Sequence, residues 1–530
     1  MTRRQVVRGL AGAAVLIAVI TAVSRAVGFG RVLVFSKTVG DTCLGDVYNT
    51  ANLLPNVAFE VVAGGALASV VVPLLVGRFE RGERAAASQT MSALLTWTLL
   101  VLVPVAVLLA VVAEPAIAVF LGGDDACGRE AVELGARMVR VFAPQIPLYG
   151  VAVVFGGALQ ARRSYLASAA APIVGSLVVI PAYLLFATVA NGRTPLGELS
   201  TRAELILSVG TTLGVVGLAA ATVLPALRRS TRVPYRPTLR FPPGDAGRAR
   251  SLALAGLAAF LAQQGAALVV AWLANRRGGE GAFTLYTWAW QLYLLPYAVL
   301  AVPLATSAFG RLASAVEAGD DHAYARTAAS TTRMVVLASA AGAAALAAAS
   351  LPVARTFVLG PGSGTAGPLA AGLVAFAPGL VGYGLVAHLG RALYAHHRGR
   401  AAAVATVTGW AVVVLVDIAL VLRSDGGNVV QALGWGNSAG MVVGGALLVA
   451  ATVRVAGGNA MAGVARTTVV ALAGAAVGGL AGYQVGQVFA DASFGTALLG
   501  AIAASVVALT LLAGVVAIGD RGTARSILRR

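Results

Sequence analysis

Arg25 and Arg31 follow an unbroken apolar run, Leu10 to Val23, that is long enough to enter a lipid bilayer. The next apolar stretch carries Asp46, Asn49, Asn52, Asn56 and Glu60 at near-helical spacing. A charged side chain at mid-bilayer costs roughly 2.5–3.5 kcal/mol on insertion scales, so such residues face a partner or a water-filled cavity. A guanidinium donates two parallel hydrogen bonds to phosphate oxygens, which an ammonium does less well. The chemistry these residues could do is therefore recognition of a phosphate-bearing group inside the membrane. Six residues set the two arginines about 120° apart around a helix, so both reach one wide cavity but not one ligand atom.

Asp46, Asn49, Asn52 and Asn56 fall on one helical stripe. A cavity wall is one reading of that stripe, and interhelical hydrogen bonding is the other. Glu60 could pair with Arg25 as a state-dependent latch, hold a proton or cation, or form a static ion pair; the sequence leaves all three open. Pro55, inside the stripe, should bend its helix. Further along, Gln263 and Gln264 precede a polar and aromatic patch of Thr284, Tyr286, Trp288, Trp290 and Gln291. Thr284 and Gln291 are its candidate ligand contacts, although Trp and Tyr also belt the membrane interface without binding anything. Asp417 stands alone in VVVLVDIALVL, either packed against a partner or binding a coupling ion. His396 and His397 lie in a basic turn with no cysteine or acid at ligand spacing, which favours lipid headgroup contact over a metal site. With no nucleophile–base set or phosphate-binding loop, no catalytic residue, cofactor or metal is expected, and the chain does not read as an enzyme.

The elements that must position these residues are membrane helices. Of 530 residues, 58% are hydrophobic and only 11% charged, against roughly 25% charged in a soluble domain. Windows of about 19 residues give fourteen spans, the first two at 10–35 and 46–77. The net charge of +18 is spread as short arginine clusters between apolar runs. That is positive-inside topology with attraction to anionic lipids, not a nucleic-acid surface. With a cytoplasmic N-terminus, about 27 basic residues fall inside and about 8 outside, which places both termini in the cytoplasm. Arg3, Arg4 and Arg8 before an apolar run mimic a signal peptide, but no clear small-residue cleavage site follows, so the first helix is read as retained. Cys43 and Cys127 both fall in expected outside loops, where a disulfide is chemically allowed; whether the loops approach closely enough stays open.

The chain repeats itself. FAPQIPLYGVAVVFGGALQARRS (Phe142 to Ser164) aligns without gaps on FAPGLVGYGLVAHLGRALYAHHR (Phe376 to Arg398), and LLPN (Leu53 to Asn56) echoes LLPY (Leu294 to Tyr297). The expected organisation is a six-helix half over 1–227, a basic linker over 228–250, a second six-helix half over 251–455, and a helix pair with a basic tail over 456–530. Parallel repeats of this kind are a transporter architecture.

SRAVGFGR, the small-residue turn to Asp46, LLPN, the Gly- and Val-rich run to VVVP, FAP…GGALQARRS and YTWAWQLYLLPYAV together resemble the MurJ (MviN) lipid II flippases of the multidrug/oligosaccharidyl-lipid/polysaccharide exporter superfamily, and YTWAWQLYLLPYAV most resembles their actinobacterial branch. The resemblance covers essentially the whole chain. It implies an all-α, fourteen-helix transporter of the bacterial cytoplasmic membrane that carries the undecaprenyl-pyrophosphate-linked peptidoglycan precursor to the outer leaflet. It further implies a cationic cavity lined by helices 1, 2, 7 and 8, a lipid-tail groove at the last two helices, and contacts with cell-wall synthesis or division proteins. The chain also departs from the family pattern. Val32 stands where an Asp usually follows the second arginine, Phe59 and Glu60 where basic residues follow LPN, Gly64 where helix 2 has an acid, and Gln291 and Leu294 where helix 8 has Arg and Glu. Two alternatives therefore stand beside lipid II transport: export of another polyprenyl-linked oligosaccharide, and a transport-inactive membrane scaffold.

Overall fold

The computed structural model describes residues 3–61, 68–122, 127–162, 164–228, 235–242, 245–362 and 364–523, and every regular element among them is a helix. The first half holds α1 (Arg3–Thr38), α2 (Cys43–Phe59), α3 (Ala68–Glu80), α4 (Arg84–Val111), α5 (Ala113–Leu121), α6 (Gly128–Phe142), α7 (Gln145–Ala161), α8 (Tyr165–Val189) and α9 (Thr201–Ala226). The second holds α10 (Asp245–Arg277), α11 (Ala282–Pro296), α12 (Val302–Glu317), α13 (Asp321–Ala348), α14 (Ser350–Phe357), α15 (Gly367–Phe376), α16 (Gly379–Ala395), α17 (Gly399–Val421) and α18 (Val429–Ala456). Helices α19 (Val464–Gln487) and α20 (Phe494–Gly519) follow.

Among the described residues, twelve helices are long and apolar enough to cross a membrane, or thirteen if the pair α15 and α16, bent by 44°, is one span. The expected span at 46–77 falls on α2 and α3, and residues 62–67 between them lie outside the described residues, as does the Gly64 departure.

The sequence repeat is a repeat of helix boundaries. Helices α7 and α16 begin and end at positions related by the offset that aligns the two FAP motifs, and α4 and α13 likewise correspond end to end. Each FAP motif breaks a span, because Pro144 and Pro378 lack an N–H and cannot continue α6 or α15. Each LLP proline is followed by a wider, π-helical turn, at Glu60–Val61 in one half and Tyr297–Ala301 in the other. Single π turns of this kind recur at functional positions in helices.

The described residues cluster into two compact units, Met1–Gln264 and Gly265–Arg530, so the division falls inside α10 rather than within the linker. The linker is also shorter than expected. Helix α10 starts at Asp245, where an acid in the first turn suits the helix dipole. The Asp245 carboxylate is held by Arg78 at 2.8 Å and by the Thr90 hydroxyl at 2.8 Å.

In the first unit an aromatic box fixes α1 and α2. Phe35, Tyr48, Phe142 and Tyr183 pack at ring-centroid distances of 5.0 to 6.1 Å. The Tyr48 hydroxyl is 2.7 Å from both the Tyr183 hydroxyl and the Thr211 hydroxyl, so the buried phenols satisfy one another. Gly40, at φ +77°, makes the sharp turn between α1 and α2, and the Thr42 hydroxyl caps α2 by accepting from the Gly45 N–H.

Cys43 and Cys127 form a disulfide, Cα–Cα 5.5 Å, that ties the start of α2 to the start of α6. It spans 84 residues, and cross-links of this kind typically contribute about 2–4 kcal/mol by restricting the unfolded chain. Cys43→Ser is expected to lower the thermal midpoint of the purified protein. Reductant should lower the wild-type midpoint and leave the variant unchanged; equal midpoints for both proteins without reductant would contradict the cross-link.

Candidate functional site

In the first unit the candidates separate by burial. Arg31 lies one helical turn before Phe35 and is half-buried beside the aromatic box. Its guanidinium acts electrostatically on the phenols of Tyr48, Tyr149 and Tyr183. Arg25 is exposed on α1. Among the described residues neither arginine makes an ion pair, unlike Arg78, Arg81 and Arg137, which engage Glu83, Asp245 and Glu204. The Arg25–Glu60 latch is therefore not closed in this conformation.

Asn49, Asn52, Asn56 and Glu60 line the half-buried face of α2, whereas Leu44, Val47, Tyr48, Ala51 and Pro55 are buried on the other side. The Asn52 Oδ1 is enclosed without a hydrogen-bond donor among the described residues. Asp46 departs from this stripe: it is buried in the first turn of α2, close to the disulfide. Glu60 sits at the π turn, and its N–H is shared between the carbonyls of Asn56 and Val57. Tyr149 on α7 feels both Arg31 and Glu60, and its ring lies 4.4 Å from that of Phe59. Beside this pair lies a mostly apolar cavity of about 300 Å³ between α3, α7, α8 and α9. The arrangement offers unpaired guanidinium groups, amides and a carboxylate for a polar ligand, with apolar surface adjacent.

In the second unit, Thr284 is fully buried near the start of α11, while Gln291 is half-exposed two turns later. Between them Trp288 is fully buried and packs on Phe357 at 5.4 Å. Trp290, Tyr293, Tyr297 and Tyr383 form a continuous aromatic cluster above it, Tyr297 and Tyr383 at 4.2 Å. Asp417 on α17 is fully buried, with both carboxylate oxygens lacking a hydrogen-bond donor among the described residues. It faces Gly436, where any added Cβ would collide with the carboxylate. Next to Gly436, the Asn437 amide is also enclosed and approaches the Tyr293 hydroxyl without completing a hydrogen bond.

The family model for the lipid II flippase MurJ matches residues 35–514. The chain belongs to the lipid II flippase MurJ family. Arg25 and Arg31 precede the matched region, so their assignment rests on the first-helix motif and the geometry above. A lipid II flippase MurJ from Burkholderia cenocepacia is 27% identical over 383 residues, 71% of each chain. A probable lipid II flippase MurJ from Rickettsia prowazekii is 28% identical over 174 residues, 32% of this chain and 34% of that one. The match thus spans about a third of one curated relative and 71% of the other. Among solved structures, the inward closed conformation of a lipid II flippase MurJ aligns with TM-score 0.71 at 16% identity, covering 97% of this chain and all of that one. The inward-facing conformation of a multidrug resistance MATE family transporter of the MOP superfamily aligns at TM-score 0.67 and 16% identity, covering 83% of this chain and 98% of that one.

Sequence reading of this MurJ-family chain missed Tyr149, Tyr293 and Asn437. A signal existed for Tyr149, which recurs as Tyr383 in the repeat, and in each half that tyrosine meets an aromatic residue just beyond the LLP proline. Nothing in the local sequence marked Asn437, because its enclosure depends on how α18 packs against its neighbours.

Proposed function

We propose that this multi-pass protein of the bacterial cytoplasmic membrane moves lipid II, the undecaprenyl-pyrophosphate-linked peptidoglycan precursor, from the inner to the outer leaflet by alternating access. Both termini are cytoplasmic in this reading. The observation that carries it is the pair of arginines on α1 with no ion-pair partner among the described residues, Arg31 lying within electrostatic reach of Tyr48, Tyr149 and Tyr183. A guanidinium left unpaired at membrane depth is stabilised by an anionic ligand, and pyrophosphate matches it in charge and geometry. Arg25, Arg31, Asn49, Asn52, Asn56 and Glu60 contact the headgroup in the first half, and Gln291 does so in the second. Asp46 and Thr284, both buried, hold the walls that present them. Glu60 and Asp417 are the groups through which an ion gradient or the membrane potential acts.

A second reading, export of another polyprenyl-linked oligosaccharide, is favoured by Gln291 and Leu294 standing where the family's helix 8 carries charge. One experiment separates the two. The protein is depleted in its native host, with no redundant flippase present, and the leaflet holding the peptidoglycan precursor is scored. Inner-leaflet accumulation reversed by the wild-type gene is the expected result. A normal precursor distribution would remove lipid II as the substrate and leave the second reading.

A further inference from the structure

On the side of the first half where α3 ends and α4 begins, residues 235–242 form a strap along α4. The Arg236 N–H donates to the Ser92 hydroxyl at 3.1 Å and the Thr238 N–H to the Thr96 hydroxyl at 3.3 Å. The Gln89 amide donates to the Arg240 carbonyl at 3.2 Å, and the Trp97 indole N–H to the Leu239 carbonyl at 3.1 Å. Between strap and helix lies a cleft of about 640 Å³, lined by Arg84, Arg162 and Arg236 with Ser88, Ser92 and Thr238. Among the described residues no carboxylate lines it. Glu83, which precedes Arg84 in the chain, is engaged by Arg78 at 3.0 Å and Arg81 at 2.7 Å. The three cleft arginines make no ion pair among the described residues. Arg162 lies over the Phe79 ring at 5.0 Å, and its enclosed Nη1 has no acceptor there.

The second half builds a cleft in the same place. The linker after α18 (residues 457–463) lies on α13, the counterpart of α4, enclosing about 660 Å³ lined by His322, Arg326 and Arg333. Gly463, at φ +75°, leaves room there for the Arg333 guanidinium, whose Nη1 would be 3.2 Å from a Cβ at that position. A cationic cleft under the linker that closes each half is thus a property of the repeat, not an accident of one loop.

The first cleft has an apolar shoulder: Trp97, Tyr235 and Leu239 beside it are exposed. Indole and phenol rings at this position suit the boundary between headgroups and acyl chains, and clustered arginines suit a phosphate. We propose that the cleft between α4 and the strap binds the phosphate of an anionic phospholipid in the inner leaflet, its acyl chains lying against Trp97 and Leu239. Its leaflet follows from the positive-inside orientation, and its existence is independent of which substrate is transported.

The test is native mass spectrometry of the full chain from detergent, with phosphatidylglycerol and phosphatidylcholine in equal amounts. Wild type is expected to retain phosphatidylglycerol preferentially. Each of Arg84→Gln, Arg162→Gln and Arg236→Gln should cut that preference about fivefold. Arg236→Gln guards against misfolding as an explanation, since only backbone bonds fix its residue to α4; its thermal midpoint should equal that of wild type in lipid-free detergent. In a parallel arm, inorganic phosphate alone is titrated against the thermal midpoint. Stabilisation by millimolar phosphate, abolished by Arg236→Gln and without phosphatidylglycerol preference, would assign the cleft to a soluble anion and overturn the lipid assignment. Equal retention of both lipids by wild type and by all three variants, with no response to phosphate, would overturn the site itself.

Discussion

Arg31→Gln is expected to abolish rescue of a depleted strain while the protein still folds and reaches the membrane. The reason lies in what Arg31 does not do. Had it been tied to a buried carboxylate, its removal would strand that charge and destabilise the fold by several kcal/mol. Instead the guanidinium makes no ion pair among the described residues and sits half-buried beside the Tyr48, Tyr149 and Tyr183 phenols. Its loss therefore falls on the ligand. A charge-assisted hydrogen bond is worth about 1.5–3 kcal/mol, which corresponds to a roughly 10- to 100-fold loss of pyrophosphate affinity. Arg31→Lys keeps the charge but not the two-pronged geometry and should rescue in part. Arg25→Gln should weaken transport less, because Arg25 is exposed. The measurement is precursor accumulation in the inner leaflet at matched expression. Full rescue by Arg31→Gln would remove α1 as the headgroup site and leave the fold untouched.

Much of the fold was legible because a membrane simplifies the code: apolar run length sets the spans, and loop arginines suggest the orientation. The FAP repeat marked helices that correspond between the halves, but the breaks at Pro144 and Pro378 went unread, because each was counted inside one continuous apolar span. The site was legible only in part. Asp46 shares the spacing of Asn49 and Asn52, yet its place in the first turn, beside the disulfide, buries it. Thr284 and Gln291 are seven residues apart, so they share a face, yet Thr284 is fully buried and Gln291 is half-exposed. Periodicity reports direction around a helix and is silent about depth along it. The strap on α4 was read as plain loop for a related reason. Its hydrogen bonds run to Ser92, Thr96 and Trp97, about 140 residues away in sequence, and no local pattern encodes them.

Asp417→Asn should keep the fold and uncouple transport. The side chain is fully buried, both oxygens lack donors among the described residues, and Gly436 is held without a side chain to make room for it. A carboxylate so enclosed keeps its charge only in the company of a cation. Asparagine reproduces the shape and removes the charge, so packing against Gly436 survives. A merely structural, permanently neutral Asp417 would tolerate that exchange. A coupling group would not, and transport driven by an ion gradient should fall at least about tenfold, the loss expected when one interaction of about 1.4 kcal/mol is removed. The companion readout needs no transport. An ion that binds the folded wild type at a hundred times its dissociation constant stabilises it by about 2.7 kcal/mol, and Asp417→Asn should lose that increment. Sodium, lithium and potassium are titrated singly against the thermal midpoint of both proteins at two pH values. A wild-type midpoint indifferent to all three cations and to pH, together with full transport by Asp417→Asn, would reduce Asp417 to a packing residue and move the coupling role to Glu60.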